Sequence, residues 1–476
     1  MNHLGIEIPI QNTPAYDTGF IPLSLFCGEF LKQAKKPVSI CIERNDGLIS
    51  VRDTFITGEN RAADRYYIER TVKFLLWMKG GFRVTICGDD DIAAYIKEVY
   101  SPAGARAFDC AFMARVYEHA FEVLALPLSE KPREKEQSKP AGGNFAGCRI
   151  GFDAGGSDRK VSAVIGGEAI YSEEVVWSPK TNPDPDYHFH EIVSALRTAQ
   201  QKMPRVDAIG VSSAGIYIDN RTMVASLFIK VPPEAFEAKV KDIYIRAAKE
   251  IGDVPLHVFN DGDVTALAGA MELADDNVRD NAAGNVLDNA AGNVLDNAAG
   301  NVLGIAMGTS EAGGFVDAGG NITGWLNELA FAPVDASAAA SADDWSGDIG
   351  CGVKYFSQEA VIKLAGNAGI SLDETMTPGE KLKAVQTMLA RKDPRVPGIF
   401  ESVGCYLGHA LPYYWSFYGF RHVLLLGRVM SGEGGNIILE TARKVLAKEY
   451  PECIFQMHLP DEKSRRVGQS VAAASL

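Results

Sequence analysis

The chain holds 476 residues and 51.3 kDa, with 46% hydrophobic and 23% charged residues. That is enough apolar material for packed cores in two or three domains, and it excludes a disordered, collagen-like or disulfide-stapled chain. Lys and Arg total 47 against 61 Asp and Glu, a net charge of −14, which argues against nucleic acid or any other polyanion as the main partner. No apolar run is long enough to cross a bilayer, and the first residues show no basic region followed by an apolar core. The eight cysteines stand singly, with no C-x-x-C pair. A soluble, reducing, cytoplasmic setting with no membrane partner is expected.

In chain order, Pro37–Ile42 and Leu48–Val51 are β-rich runs around Asn45-Asp46-Gly47, a strong hairpin signal. Helical periodicity follows over Ala62–Met78, closed by Gly80-Gly81. Phe82–Cys87 reads as a strand, and amphipathic helices are expected around Ile92–Tyr100 and Ala107–Leu124. Residues 1–127 thus form a small α/β accessory domain whose role the sequence does not disclose. From Leu128 the text LSEKPREKEQSKPAGGNFAG is charged, Pro- and Gly-bearing and poor in anything to bury, so 128–147 reads as a linker.

Beyond it, Cys148–Ser157 and Val161–Ile165 read as strand, Gly-rich turn and strand, with Asp153 at the strand end beside Gly155-Gly156. A carboxylate next to exposed backbone N–H groups suits a magnesium-bound polyphosphate. Ala208–Ser213 is a buried strand that runs into the small-residue turn Ala214-Gly215. Leu256–Phe259 is a strand ending in Asn260-Asp261-Gly262-Asp263, before a helix over Val264–Leu273. A carboxylate there could accept a proton from a substrate hydroxyl, and helix N-capping is the competing role for Asp261 or Asp263. The octapeptide Asp-Asn-Ala-Ala-Gly-Asn-Val-Leu is repeated in tandem three times over 280–303, which reads as an expanded helix-to-strand connection. A second strand–Gly-rich turn–strand covers Gly304–Val316, and His422–Gly427 is a late buried strand leading into a Gly-rich exit. His188, His190 and His257 match no strong metal-ligand spacing.

This ordered set, over residues 148–476, resembles the sugar-kinase, actin and heat-shock ATPase superfamily, and most closely the ROK sugar kinases. Asp153–Ser157 matches the family's D-x-G-G-T. Asn260-Asp261-Gly262-Asp263 matches N-D-A-N, and Gly308–Gly314 its second phosphate loop. Gly324–Phe331 resembles the sugar-contacting region, Val423–Gly427 the adenosine-site strand, and Arg466–Ala473 the closing helix.

The resemblance implies a two-lobed, actin-like (ribonuclease H-like) α/β fold behind the accessory domain. Lobe I would span 148–261, with 461–476 returning to it, and lobe II 262–460. It implies ATP-dependent phosphorylation of a sugar hydroxyl, with Asp261 as general base. Asn260, Glu328, Ser213 and Gly215 would contact the substrate. Asp153, Gly155, Gly156, Ser157, Gly308, Thr309, Gly313 and Gly427 would hold the nucleotide. Magnesium would be oriented by Asp153 through phosphate or water, and a homo-oligomer, a dimer, is expected.

Four departures bear on this reading. Phe331 stands where the family has a His, and only Cys351 remains of a Cys-rich zinc loop, so no structural zinc is expected. Val353 takes the place of a sugar-contacting Glu. Glu311 is expected to put a negative charge into the phosphate-facing loop. A non-catalytic sugar-sensing protein, or an ATPase like the N-acetylglucosamine kinase and BadF branch, is the alternative.

Overall fold

A computed structural model describes residues 1–138, 142–283, 300–459 and 469–476, with side chains placed outside 274–283. Most of the octapeptide repeat, residues 139–141 of the linker segment and 460–468 near the C-terminus lie outside the described residues.

The N-terminal part opens with a small ladder of β1 (Asn2–His3) and β2 (Ile6–Glu7), then α1 (Leu23–Gln33). Strands β3 (Lys36–Glu43) and β4 (Ile49–Ile56) form the expected hairpin, and its turn places Asp46 and Gly47 at φ +62° and +63°. Asp and Gly enter that left-handed region at little cost, which is why this pair makes the turn. Helix α2 (Arg61–Lys79) follows, then β5 (Arg83–Cys87), α3 (Asp90–Val99), α4 (Ala107–Tyr117) and β6 (Glu122–Leu126), giving a sheet of order β4-β3-β5-β6. The helix expected to run to Leu124 therefore stops at Tyr117, where Glu118 turns left-handed at φ +57°. Residues 122–126 pair parallel to β5 instead. Their Leu, Ala and Glu favour helix locally, and the open edge of β5 overrides that weak preference.

Residues 131–136 of the 128–147 segment are tied down beside the β3–β4 hairpin and the end of α2. Lys135 exchanges backbone hydrogen bonds with Ile49, Lys131 pairs with Asp53, and Glu136 bonds Arg44, Ser50 and Lys79. Lys131 and Glu136, which read as solvated linker charges, thus find charged partners here.

The first lobe contains β7 (Cys148–Ala154), β8 (Asp158–Ile165), β9 (Glu168–Val176), α5 (Pro185–Gln200), β10 (Ala208–Ser213), β11 (Ile216–Ile218), β12 (Arg221–Val224), the single turn α6 (Pro233–Ala235), α7 (Ile243–Ile251) and β13 (Leu256–Asn260). Its five-stranded sheet has the order β13-β10-β7-β8-β9, with β7, β10 and β13 parallel. The parallel strand ends therefore all deliver their last residues to one edge, the usual place for a site in an α/β sheet. Helix α8 (Asp261–Ala283) leads to the second lobe. There β14 (Val302–Met307) and β15 (Glu311–Val316) form a hairpin. Helices α9 (Gln358–Asn367), α10 (Pro378–Ala390) and α11 (Pro397–Tyr418) precede β16 (His422–Leu426), α12 (Gly432–Glu449) and β17 (Gln456–His458). The order of that sheet is β15-β14-β16-β17.

Residues 469–474 form helical turns packed on the first lobe's sheet. A Cβ at Gly151 would stand 1.7 Å from the Ser470 carbonyl oxygen, and one at Gly210 1.7 Å from that of Ala473. Only glycine lets the segment lie this close. Ala472, Ala473 and Leu476 also share a core with Val264 and Leu267 of α8 and Leu424 of β16, so the C-terminus joins both lobes.

The N-terminal part and the second lobe share one continuous core. Helix α2 lies between them, buried on nearly every side. Phe74 packs on Tyr413, Tyr414 and Phe417 of α11, and Trp77 stacks on Phe331 with ring centroids 4.1 Å apart. Its polar residues Glu69, Arg70 and Lys73 are buried too, in a balanced network with Asp109, Arg106 and Asp348. Asp348 of the second lobe receives Arg70 at 3.0 Å, Lys73 at 3.0 Å and Arg106 at 2.5 Å. Removing one member of such a network leaves an uncompensated buried charge, which costs far more than the network contributes. Asp348→Asn keeps the shape and removes the only second-lobe anion in the network as described. A loss of about 3–5 kcal/mol is expected in chemical denaturation; a change within about 0.5 kcal/mol would show that solvent reaches the cluster.

Candidate active site

The edge formed by β7, β10 and β13 faces the β14–β15 hairpin and the start of α8. Asp153, next to last in β7, is buried; Ser212 Oγ of β10 donates to its Oδ1 at 2.9 Å, and Lys160 Nζ lies 3.8 Å from Oδ2. Burial pushes its pKa up to about 6 against these two helpers, and the Asp261 carboxylate adds to the push. The turn Gly155-Gly156-Ser157 follows. Its backbone is held by Trp177, whose indole N–H donates to the Gly155 carbonyl at 2.8 Å and whose backbone N–H donates to that of Ser157.

This contact fixes the strap 177–181 over the turn, and sequence reasoning missed its consequence. Lys180 crosses Gly156 so closely that a Cβ there would meet Lys180 Cε at 2.9 Å and Nζ at 3.0 Å. Lys180 is also the cation that opposes the upward shift of Asp261. The strap is stapled from below by buried His188, whose two ring nitrogens bond the Asp184 and Pro179 carbonyls. His188 is thus structural, and nothing local in Ser-Pro-Lys-Thr-Asn-Pro marks Lys180 as a site residue.

Asn260 ends β13 and Asp261 opens α8. The Asn260 amide donates to the Gly215 carbonyl at 2.7 Å, while its Oδ1 accepts from the Gly262 N–H at 2.7 Å. Asn260 therefore does the capping, and Asp261 accepts the same N–H at 3.0 Å with one oxygen, leaving the other oxygen for a substrate. Burial raises the Asp261 pKa. Asp263 is fixed by the Phe315 N–H and the Asn327 amide, and burial lifts it to about 7. Glu328 is raised to about 7 by burial, then by the charges of Asp261 and Asp263, so the three carboxyls share one neighbourhood. The backbone N–H groups of Asn327 and Glu328 donate to the Met78 and Trp77 carbonyls at the end of α2, each at 3.0 Å.

Among the other sequence-derived candidates, Gly215 lies against Asn260. The Ser213 hydroxyl points into the lobe and accepts from Tyr217 at 2.6 Å and Tyr244 at 2.9 Å. Gly308 and Thr309 make the β14–β15 turn, with Thr309 exposed and the Gly308 carbonyl accepting from the Gln358 N–H. Gly313 is set back from that turn: it meets the start of α8, where a Cβ at Gly262 would stand 2.2 Å from its carbonyl oxygen. Gly427 follows β16 at φ +94°, pressed on the Met307 backbone. Glu311 corrects the sequence reading. It is the first residue of β15 and 2% exposed, with Oε1 accepting a long 3.5 Å hydrogen bond from Tyr414 and Oε2 packed toward Gly352. Its carboxyl is turned into the core and away from the hairpin turn, and burial lifts its pKa to about 8.

Magnesium delivered with a nucleotide would need one or two protein carboxylates besides the phosphates, and Asp153 at the strand end is a carboxylate that could serve. Among the described residues no group of three or more His, Cys, Asp or Glu is placed to hold a metal by itself. Phe331 packs with Trp77, Phe108 and Phe112, and the Cys351 thiol is buried 3.6 Å from an Asp348 oxygen.

No family model and no curated protein matches the chain. Solved structures do. A ROK hexokinase from Thermus thermophilus is 17% identical with a TM-score of 0.51, the match covering 69% of this chain and 96% of that one. The fold is that of the ROK sugar kinases. A ROK-family glucokinase from Streptomyces griseus, in complex with glucose and AMPPNP, is 19% identical at a TM-score of 0.48, covering 69% and 98%. A ROK-family transcriptional regulator, a homologue of the E. coli MLC protein, is 14% identical at 0.47, covering 70% and 79%. Among the described residues no helix is long and apolar enough to cross a membrane.

Two expectations follow. Purified protein should carry no stoichiometric zinc by elemental analysis, since an aromatic stack and a lone buried thiol offer no four-ligand site; one tightly held zinc per chain would contradict this. Glu311 has a folded pKa near 8, above its unfolded value near 4.5, so the folded state keeps a proton that the unfolded state sheds across this range. Stability therefore falls as pH rises from 5 to 8, and Glu311→Gln should flatten that slope in thermal melts. An unchanged slope would show that Glu311 does not hold its proton.

Proposed function

We propose that the protein transfers the γ-phosphate of ATP to a hydroxyl of a sugar or sugar derivative. One observation carries this reading: Asp153, Glu328 and Lys180 come from three separate chain segments, and each lies within electrostatic reach of Asp261 at the start of α8. Phosphoryl transfer is mostly positioning and charge neutralisation, and this set divides those tasks. Asp261, anchored through one oxygen, accepts the proton of the attacking hydroxyl. Its raised pKa makes it a stronger base than a free carboxylate once ionised. Lys180 lies over the Gly155–Ser157 turn and neutralises phosphate charge, while backbone N–H groups of that turn and of Thr309 orient the phosphates; the Gly308 N–H is taken by the Ser310 carbonyl, which holds the second turn in shape. Magnesium, held through Asp153 directly or through water, would supply the remaining positive charge. Asn260 and Glu328 hold substrate hydroxyls. Below pH 7 Glu328 carries a proton and can donate to a hydroxyl, and ionised it can accept.

Burial of Glu311 supports an enzyme over a pure sensor, because it removes the negative charge that would have opposed the nucleotide. The decisive comparison is between the parent and Asp261→Asn, which keeps size and a hydrogen-bonding oxygen but removes the base. ATP-dependent sugar phosphorylation should fall about 10²–10⁴-fold while sugar binding persists. Equal turnover would overturn the mechanism. A parent that binds a sugar but phosphorylates none would make it a non-catalytic sugar-binding protein.

A further inference from the structure

A cavity of about 310 Å³ begins at Asn260, Asp263 and Gly215 and extends away from Asp261 to the N-terminal part, where Arg44, Asn45 and Asp46 of the β3–β4 turn form its far wall. Three lining residues carry buried polar atoms that no described protein group hydrogen-bonds: Arg44 Nε, Asn45 Oδ1 and Thr323 Oγ1. Arg44 and Thr323 are each 4% exposed. Buried polar groups are nearly always satisfied, so three orphans around one cavity point to a ligand. They are a donor, an acceptor and a hydroxyl that can be either, the complement of a polyhydroxy compound whose every hydroxyl both donates and accepts.

The wall is also rigid. Arg44 pairs with Glu136 and donates to the Gly324 carbonyl at 3.4 Å. Trp325, the neighbour of Gly324, is held between Phe315, stacked at 5.4 Å, and Lys79, whose ammonium lies 3.2 Å from its ring centroid. These two contacts hold the indole in place where it lines the cavity.

We infer that the N-terminal part is a substrate-binding element: the β3–β4 turn and Thr323 grip the hydroxyls of the sugar remote from the reacting one, and the volume of about 310 Å³ suits a single sugar ring and no longer saccharide. The inference deepens the kinase reading and rests on it for the orientation of the sugar. The volume stands at the lower end of small-molecule sites, roughly 300–1,000 Å³. With the acceptor hydroxyl at Asp261, the rest of the ring extends past the neighbouring Asn260, which lines the cavity.

The test measures binding by calorimetry, without nucleotide, of D-glucose, N-acetyl-D-mannosamine and sucrose to the full chain and to Asn45→Ala and Thr323→Val. Because neither polar atom has a protein partner, both variants should keep the parent's melting temperature. Each should weaken the bound monosaccharide about 3- to 10-fold, the value of one hydrogen bond, leave the KM for ATP unchanged, and sucrose should not bind. Monosaccharide affinity that is unchanged in both variants, while Asn260→Ala loses it, overturns the inference and leaves the kinase reading standing. Weakened binding in a parent that phosphorylates nothing sinks the kinase reading and keeps the wall. A parent that binds sucrose as well as a monosaccharide refutes the size limit, and one that binds no sugar refutes both.

Discussion

Two backbone hydrogen bonds couple the parts of this molecule. The last carbonyls of α2 have no partner inside the helix, and two of them, on Trp77 and Met78, receive the N–H groups of Glu328 and Asn327. Everything around α2 serves to keep that helix end in place: the sheet on one side, the α11 aromatics on the other, and the buried ion network along its length. Glu328 reaches the cleft, and Asn327 reaches Asp263, because their backbones are fixed by a helix some 250 residues away in sequence. The N-terminal part is therefore built into the site. The stack of Trp77 on Phe331 fills the position where the resemblance implies a metal-binding His.

The cleft itself is an electrostatic problem that the fold leaves half solved. Asp153, Asp261, Asp263 and Glu328 lie close together in a region of low dielectric, and Lys160 and Lys180 are the nearby cations. The folded protein meets the excess by keeping protons, which is why Asp153 stays protonated up to about pH 6 and Asp263 and Glu328 to about pH 7. On the proposed function, a magnesium-bound nucleotide would meet Asp153 with its cation and Lys180 with its phosphates.

Much of the second two thirds of the chain was legible in its sequence. The two Gly-rich hairpins, the buried strand before Gly215 and the Asn260-Asp261 junction all appear where local signals place them, since short apolar runs closed by Gly or Asp carry their own stop signs. The failures share a cause. Residues 122–126 have helical propensity and become a strand because β5 offers an edge. Lys180 sits in a loop with no motif and reaches the site through Trp177 and His188. Glu311 reads as a loop charge and is the first residue of a strand, where alternation turns it inward. Each was decided by a contact distant in sequence, which one chain without its fold does not reveal.

The buried Glu311 bears on why the resemblance is visible in the fold and not to family models. The β14–β15 hairpin needs a tight backbone turn; it does not need a particular side chain at each position. Here the turn is kept by Gly308 and by the Gln358 N–H on its carbonyl, so a Glu can occupy position 311 provided it folds inward and stays neutral. The same holds for Phe331, tolerated because α2 and α4 bring aromatic rings to cover it. Local compensation of this kind is compatible with a fold shared at only 17% identity. What cannot drift is the close approach of backbone to backbone, at Gly151, Gly210 and Gly262, because no neighbouring substitution makes room for a Cβ less than about 2.3 Å from a carbonyl oxygen.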